Sequence, residues 1–372
     1  MLMAMVRSPP SQSLFSNKPI LPRRIRSPEP RNHLPERENR CAKSSETCPQ
    51  TVCTIAAVRR SPRGSSSSPI CTRIPENMAW VRRLSRAWHG GDVLVVAGDV
   101  AETYKNFVST MAELKERSGP CSSCPGIMTC GAGEKRANSE LGVETGPRTI
   151  DGLGIIPLFS WYHKACKDFH ACKWSPQLSN DGVALALHFD MMNETNHNAI
   201  KEVQTTSNHI ITFSHFVPRQ ELCPEKRMLF YPNLPKIIGS DFLEKRLRSI
   251  HGNFVSGSAC HLFGHTHFCW DSVVDGIRYV QAPLAYPRER KRRMNGGEDW
   301  LPFCIYFKGF TDKLSPAYWS DYYSENKREP KNTDLAPWVA RFYTSFSERH
   351  ILTFQLLVPK SLTQTNRVSR SL

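Results

Sequence analysis

Residues 92–102 read DVLVVAGDVAE. Asp92–Ala97 is a β-branched, apolar run of the kind that fills a strand buried on both faces, and it ends abruptly in Gly98-Asp99. On its N-terminal side, Glu76–His89 carries Met78, Trp80, Val81, Leu84 and Trp88 at helical spacing before Gly90-Gly91 breaks the pattern. On its C-terminal side, Thr103–Arg117 returns to helix period with Phe107, Met111 and Leu114. A buried strand between two helices predicts an α/β sheet protein. The pattern continues outward with a hairpin over Thr149–Phe159, a helix over Asp181–Gln204 and a strand at His209–Phe213. A short helix at Phe242–Ile250, a strand at Ala259–Phe263 and a hairpin over Ser272–Ala282 turning at Asp275-Gly276 follow. Phe303–Phe307 is a further expected strand, and no internal repeat is present.

The 372 residues are 40% hydrophobic and 10% aromatic, which supports a sizeable core and a globular, soluble chain. No stretch reaches the roughly 18 uninterrupted apolar residues of a membrane-spanning helix, so no membrane partner is expected. The formal charge of +15 invites nucleic-acid binding, but its distribution argues otherwise. Residues 1–75 hold 13 Arg and Lys against four Glu, so most of the excess belongs to a tail rich in Pro, Arg and Ser that reads as disorder. Nucleic acid is therefore not an expected partner. Thirteen cysteines are too few for a small disulfide scaffold, and no secretory signal is visible after Met1–Met5. An intracellular protein with reduced thiols is expected, cytoplasmic by default, with organelle targeting left open.

Three of the buried runs end alike. Asp92–Ala97 runs into Gly98-Asp99, His209–Phe213 into Ser214-His215, and Ala259–Phe263 into Gly264-His265-Thr266-His267. Ligands of open α/β sheets bind at the carboxyl ends of the strands. Here those ends carry one Asp and three His, the donors that Mn, Fe or Zn accept. Taken singly, a Gly-Asp pair is an ordinary turn and a lone His an ordinary core residue. The order GD, SH, GHxH, each at a strand end, points to a metal centre.

With that order the chain resembles the calcineurin-like metallophosphoesterase superfamily, over about residues 76–310. Its motifs run D-x-H, GD-x-x-[DE], GNH-[DE], a single His and GHxH. Ser214–Arg227 and Gly264–Asp299 are similar to a plant-type subgroup. The resemblance implies an αββα sandwich with two divalent metal ions (Mn, Fe or Zn), flanked here by disordered N-terminal and C-terminal tails. It implies that Asp99 bridges the metals, that His215 and His265 bind one and His267 the other, and that a hydroxide between them attacks phosphorus in line. The implied substrate is a phosphate mono- or diester, on a small molecule or a macromolecule.

Two motifs depart from the family pattern. D-x-H, expected before Pro75, and GNH-[DE], expected between Glu102 and His215, are absent. Back-translation suggests a reason. Pro125–Gly131, read from the third base of the Pro125 codon, permits Gly-Asn-His-Asp-Leu-Trp with the Asp forced. Ser68–Ile74, read from the third base of the Ser68 codon, permits Ser-Asp-Leu-His-Thr-Asp. In the same way Ser118–Pro125 permits Phe-x-x-Val-Phe-Phe-Val-Pro, a strand ahead of its motif. Residues before about Ile74, and about 118–136, are therefore expected to be out-of-frame translation.

The same expectation demotes Cys121-x-x-Cys124 near Cys130 as a zinc or redox pair. Arg219, soon after His215, is a candidate phosphate contact. Trp161-Tyr162-His163 follows a strand and is a candidate cleft wall, with aromatic core the plainer expectation. The run Arg288–Arg293 reads as a solvated loop, the alternatives being attraction of a phosphate-bearing substrate and a nuclear address. The expected organisation is a disordered basic segment (1–75), a metallophosphoesterase domain (76–310) and a C-terminal extension (311–372). The expected function is metal-dependent phosphoester hydrolysis. The alternative is a catalytically inactive, phosphoesterase-like binding module, because two motifs are missing.

Overall fold

The computed structural model describes residues 3–7, 74–101, 103–124, 137–163, 180–252, 258–290 and 303–344, with 3–7, 74–76, 124, 180–181 and 288 described by backbone alone. The architecture is mixed α/β. One sheet has four strands, in the order β10, β1, β2, β3, formed by Cys304–Tyr306, Met3–Arg7, Asp92–Ala97 and Cys121–Cys124. The other has six, in the order β4, β5, β6, β7, β9, β8. These are Arg148–Ile150, Leu153–Pro157, His209–Phe213, Ala259–Leu262, Ile277–Gln281 and Trp270–Val274. β5, β6, β7 and β9 run parallel, and each edge of the second sheet is an antiparallel hairpin. Both hairpins turn on Asp-Gly, at Asp151-Gly152 and Asp275-Gly276, with positive φ at all four residues. That is the backbone a two-residue primed turn requires.

Strand alternation explains how the layers pack. Val93, Val95 and Ala97 of β2 face the second sheet and meet Leu153, Ile155, Ile211, Phe213, Leu262 and Val280. Leu94 and Val96, on the opposite face of β2, pack against Trp80 and Val81 of α1 (Ile74–Arg83) and Phe107, Met111 and Leu114 of α3 (Tyr104–Arg117). α2 is the single turn Arg86–His89 between them. The far face of the six-stranded sheet is covered by α5 (His197–Thr206) through Ile200 and Val203, and by α6 (Asp241–His251) through Leu243, Leu247 and Ile250. α3 and α6 start where side chains cap them. Thr103 Oγ1 accepts from the Asn106 amide at 3.3 Å, and Ser240 Oγ from the Leu243 amide at 3.4 Å.

Four local expectations need correction. Met3–Arg7, placed within a disordered tail, is a strand, antiparallel to β2 and parallel to β10. It lies between β10 and β2 in the first sheet. The segment after Ser118, without visible pattern, begins with β3, which runs parallel to β2 with Cys121 beside Leu94. The helix expected over Asp181–Gln204 is two, α4 (Asn180–Glu194) and α5, broken at Thr195-Asn196. Residues 311–344, set apart as an extension, pack on the six-stranded sheet. α8 (Tyr318–Glu325) buries Trp319, Ala336 and Val339 join the same core, and the Arg328 guanidinium lies 3.7 Å from the centre of the Tyr323 ring.

Candidate metal centre

β2, β6 and β7 end at the same edge of the layered sheets. Gly264 is the point of closest approach. Its amide donates to His215 O at 3.0 Å, and a Cβ there would lie 3.0 Å from Ala97 O and 3.4 Å from His215 O. A side chain at 264 would therefore wedge apart the loops that follow the three strands.

Asp99, His215 and His265 are brought together by this approach, all nearly inaccessible to solvent. His215 Nδ1 lies 3.2 Å from Ala97 O, and a carbonyl only accepts, so this nitrogen carries the proton of the neutral ring. The bare Nε2 then faces Asp99 Oδ2 and His265 Nδ1, each 3.3 Å away. A lone pair set against a carboxylate oxygen is repulsive unless a cation or a proton lies between them. His267, two residues on, turns aside, with Nδ1 2.9 Å from Glu289 Oε2 and its ring edge-on to Tyr286. Glu289 belongs to the short helix α7 (Pro287–Arg290), where it also accepts from the Tyr286 amide at 3.1 Å.

The backbone is strained here. Of the seven non-glycine residues with positive φ among the described residues, Asp151 and Asp275 serve hairpin turns and Lys308 lies apart, whereas Asp99, His265, His267 and Ala285 cluster around these loops. Each such residue costs on the order of 1 kcal/mol or more. Concentrated strain of this kind is typical of functional sites. Phe216 backs the site, tilted over His265 at 4.7 Å and edge-on to His215 at 5.1 Å.

The chemistry of this donor set suits a divalent ion of the Mn, Fe or Zn type. Its number and arrangement do not fit two ions. The contacts run in a line from Asp99 through His215 to His265. Among the described residues no three His, Cys, Asp or Glu side chains form a group that could hold a metal ion. The stretches expected to supply further donors, 68–73 and 125–136, lie outside the described residues.

The other candidates separate clearly. Arg219 is not directed at the His cluster. Its guanidinium is engaged by Glu221, by Glu244 at 3.0 Å and by Asp275 at 2.7 Å, and these carboxylates outweigh partial burial and hold its pKa above the usual arginine range. Cys121 is buried within β3, and burial pushes its thiol up to about 12, as an inert core residue. Cys130 lies outside the described residues. Within Arg288–Arg293, Arg290 is buried and Glu289 faces His267, so this part is not a solvated loop; 291–293 lie outside the described residues. Glu289 and Phe216 contact the candidate histidines and were not singled out from the sequence. The one signal for Glu289 is a lone acid in a basic run, two residues after Pro287.

No family model and no curated protein matches the chain. Among solved structures it is similar to the phosphopantetheinyl hydrolase of Mycobacterium tuberculosis, at 20% identity and a TM-score of 0.41, over 64% of this chain and 91% of that one. It is also similar to TT1561 of Thermus thermophilus, at 9% identity and a TM-score of 0.36, over 62% of this chain and 88% of that one. Likeness at this level leaves the activity to be argued from the site. No helix among the described residues is long and apolar enough to cross a membrane.

Proposed function

We propose that this chain derives from, and in its complete form is, a metal-dependent phosphoesterase of the calcineurin-like type, acting on phosphate mono- or diesters. The observation that carries the reading is the meeting of Asp99, His215 and His265 at the ends of three strands drawn from both sheets. A divalent ion bound there would supply Lewis-acid stabilisation of a phosphoryl group and an activated water. The donors that this chain would offer it are three. Asp99 offers a carboxylate, His215 presents Nε2 because Ala97 O fixes its tautomer, and His265 is held in place by Phe216. The implied second ion finds too few donors among the described residues, so no catalytic step is derived through a metal pair.

The expected result is Mn²⁺-dependent hydrolysis of a phosphate ester that falls at least about 100-fold in Asp99→Asn and in His265→Ala, while the melting temperature stays close to that of the parent. Undiminished activity in both variants would sink the reading.

The shortfall of donors favours one competing reading, a phosphoesterase-like module that binds partners without hydrolysis. Sequencing the transcript across codons 60–80 and 115–140 separates the two. Single-base shifts that restore Asp-x-His and Gly-Asn-His-Asp would make the natural protein a two-metal enzyme. Letters that stand unchanged would leave Asp99, His215, His265 and His267 as relics of one.

A further inference from the structure

The junction between α1 and α2 reads Arg82-Arg83-Leu84-Ser85-Arg86, and the proposed chemistry makes no use of it. α1 ends with Arg82 and Arg83 in its last turn, and α2 begins at Arg86. Ser85 stands between them with extended backbone, φ −81° and ψ 120°. Its carbonyl accepts from the Trp88 and His89 amides at 3.1 and 2.9 Å. Its hydroxyl does not cap α2 and has no hydrogen-bond partner among the described residues.

A half-buried serine with an idle hydroxyl is ordinary; its surroundings are not. Arg82, Arg83 and Arg86 are all exposed, and no acidic residue occurs from Asn77 to Gly91. Arg82 meets Glu113 of α3 at 3.1 Å, but its side chain is 58% exposed, and such pairs are weak and readily exchanged. The segment is also lightly held. α2 is a single turn with no buried residue, and Trp88 within it is half exposed. Leu84 is the one buried side chain from Arg82 to Trp88. Elements with so few buried contacts open locally at small cost. Ser249 supplies the contrast, since Arg246 also lies three residues before it. Ser249 sits inside α6, where Asp190 and Glu194 hold Arg246 at 2.6 Å and Glu244 holds Arg248 at 2.9 Å.

We propose that Ser85 is a phosphorylation site for a basophilic serine kinase, one that selects arginine two and three residues before its acceptor. Exposed guanidiniums in that register offer charge-assisted hydrogen bonds to carboxylates of the kinase, and such charge patterns set kinase selectivity. In the transfer, Ser85 Oγ forms a bond to the γ-phosphorus of ATP as the bond to the bridging oxygen of ADP breaks. The hydroxyl proton passes to the kinase's catalytic base. The product carries a charge near −2 among three arginines, so the junction changes from strongly basic to nearly balanced. Ser85 precedes β2, whereas Asp99 follows it, so the modification lies at the opposite end of that strand from the candidate metal centre. The inference is independent of the phosphoesterase reading.

The test incubates the folded full chain with ATP, Mg²⁺ and cyclic-AMP-dependent protein kinase, which has this selectivity, and locates the phosphate by mass spectrometry. The expected result is a phosphoryl group at Ser85 and none at Ser249. Ser85→Ala should abolish that incorporation, and Arg83→Ala should slow it about tenfold or more. Arg83→Lys should recover part of the rate. Melting temperatures close to that of the parent would show that these surface variants fold. A folded parent chain that stays unmodified at Ser85 would overturn the proposal, as would modification that begins only once the chain is unfolded by heat. Equal rates in Arg83→Ala and the parent, or modification of Ser249 as fast as Ser85, would overturn it too.

Discussion

Arg290 shows how a single side chain supports the site from behind. Its Nη1 donates to Asn77 Oδ1 of α1 at 2.6 Å and to the carbonyls of Leu284 at 3.0 Å and Ala285 at 3.2 Å. Ala285 has positive φ and precedes the turn that presents Glu289 to His267, so this clamp fixes strained backbone. Arg290→Met keeps the apolar stem and removes the donors, leaving buried carbonyls unsatisfied at a cost of about 2–3 kcal/mol. Arg290→Lys should recover little, since an ammonium lacks the planar fork. Urea midpoints of the two variants within error of the parent would contradict this account. At this scale the candidate residues were picked out by their place after a strand. Asp99, His215, His265 and His267 declare themselves by following an apolar run. Glu289 and Phe216 did not, because their roles are set by contacts across the fold. The partners of Arg219 were hidden for the same reason, with Glu244 and Asp275 lying 25 and 56 residues away along the chain.

The elements most legible in the sequence are those whose local chemistry and tertiary role agree. Asp275-Gly276 marked its hairpin because few residues other than glycine, asparagine and aspartate accept positive φ in succession. Asp92–Ala97 declared a strand buried on both faces, and all six of its residues are buried. Met3–Arg7 and Cys121–Cys124 were missed because neither carries a usable period; neighbours in the sheet decide their strand state. Close helix-on-strand packing left a signal only in the glycine at 154. A Cβ at this position would lie 2.4 Å from Val203 Cγ1 of α5, 3.0 Å from Ser207 Oγ and 3.1 Å from Ile210 Cγ1. Gly154→Ala must therefore push α5 off the sheet or shift β5. The expected loss is about 1–3 kcal/mol, seen as a lower melting temperature. A stabilised variant would contradict the packing described, since alanine otherwise favours the folded chain by restricting the unfolded one.

On the scale of the whole molecule, the sequence predicted alternating helices and strands but not that Thr311–344 closes the outer face of the larger sheet. Weak patterning hid that role, because Trp319 is anchored by aromatic neighbours rather than by a helical stripe. Nor did it reveal a polar thread through the interior. Thr212 Oγ1 lies 2.9 Å from both His251 Nε2 and His261 Nδ1, and Ser214 Oγ 3.1 Å from His261 Nε2. Burial, with a smaller contribution from Arg248, lowers the His251 pKa from 6.5 to about 3. Burial, assisted by His251, holds His261 well below its ordinary value as well. Both rings are therefore neutral in the fold, whereas in the unfolded chain they protonate near pH 6.5. The unfolded state thus binds the extra protons, and stability from this source is complete above about pH 6.5 and lost as pH falls towards 3. At the limit each histidine contributes a slope of about 1.4 kcal/mol per pH unit. Glu194 and Asp275 do not contribute to this fall in its upper part, because Arg246 and Arg219 hold their carboxyls below the usual range. Urea midpoints taken from pH 7.5 to 4.5 should fall steadily below 6.5, and His251→Gln should flatten part of that fall. A midpoint that is constant over the range would mean that the two histidines are not held neutral by the fold.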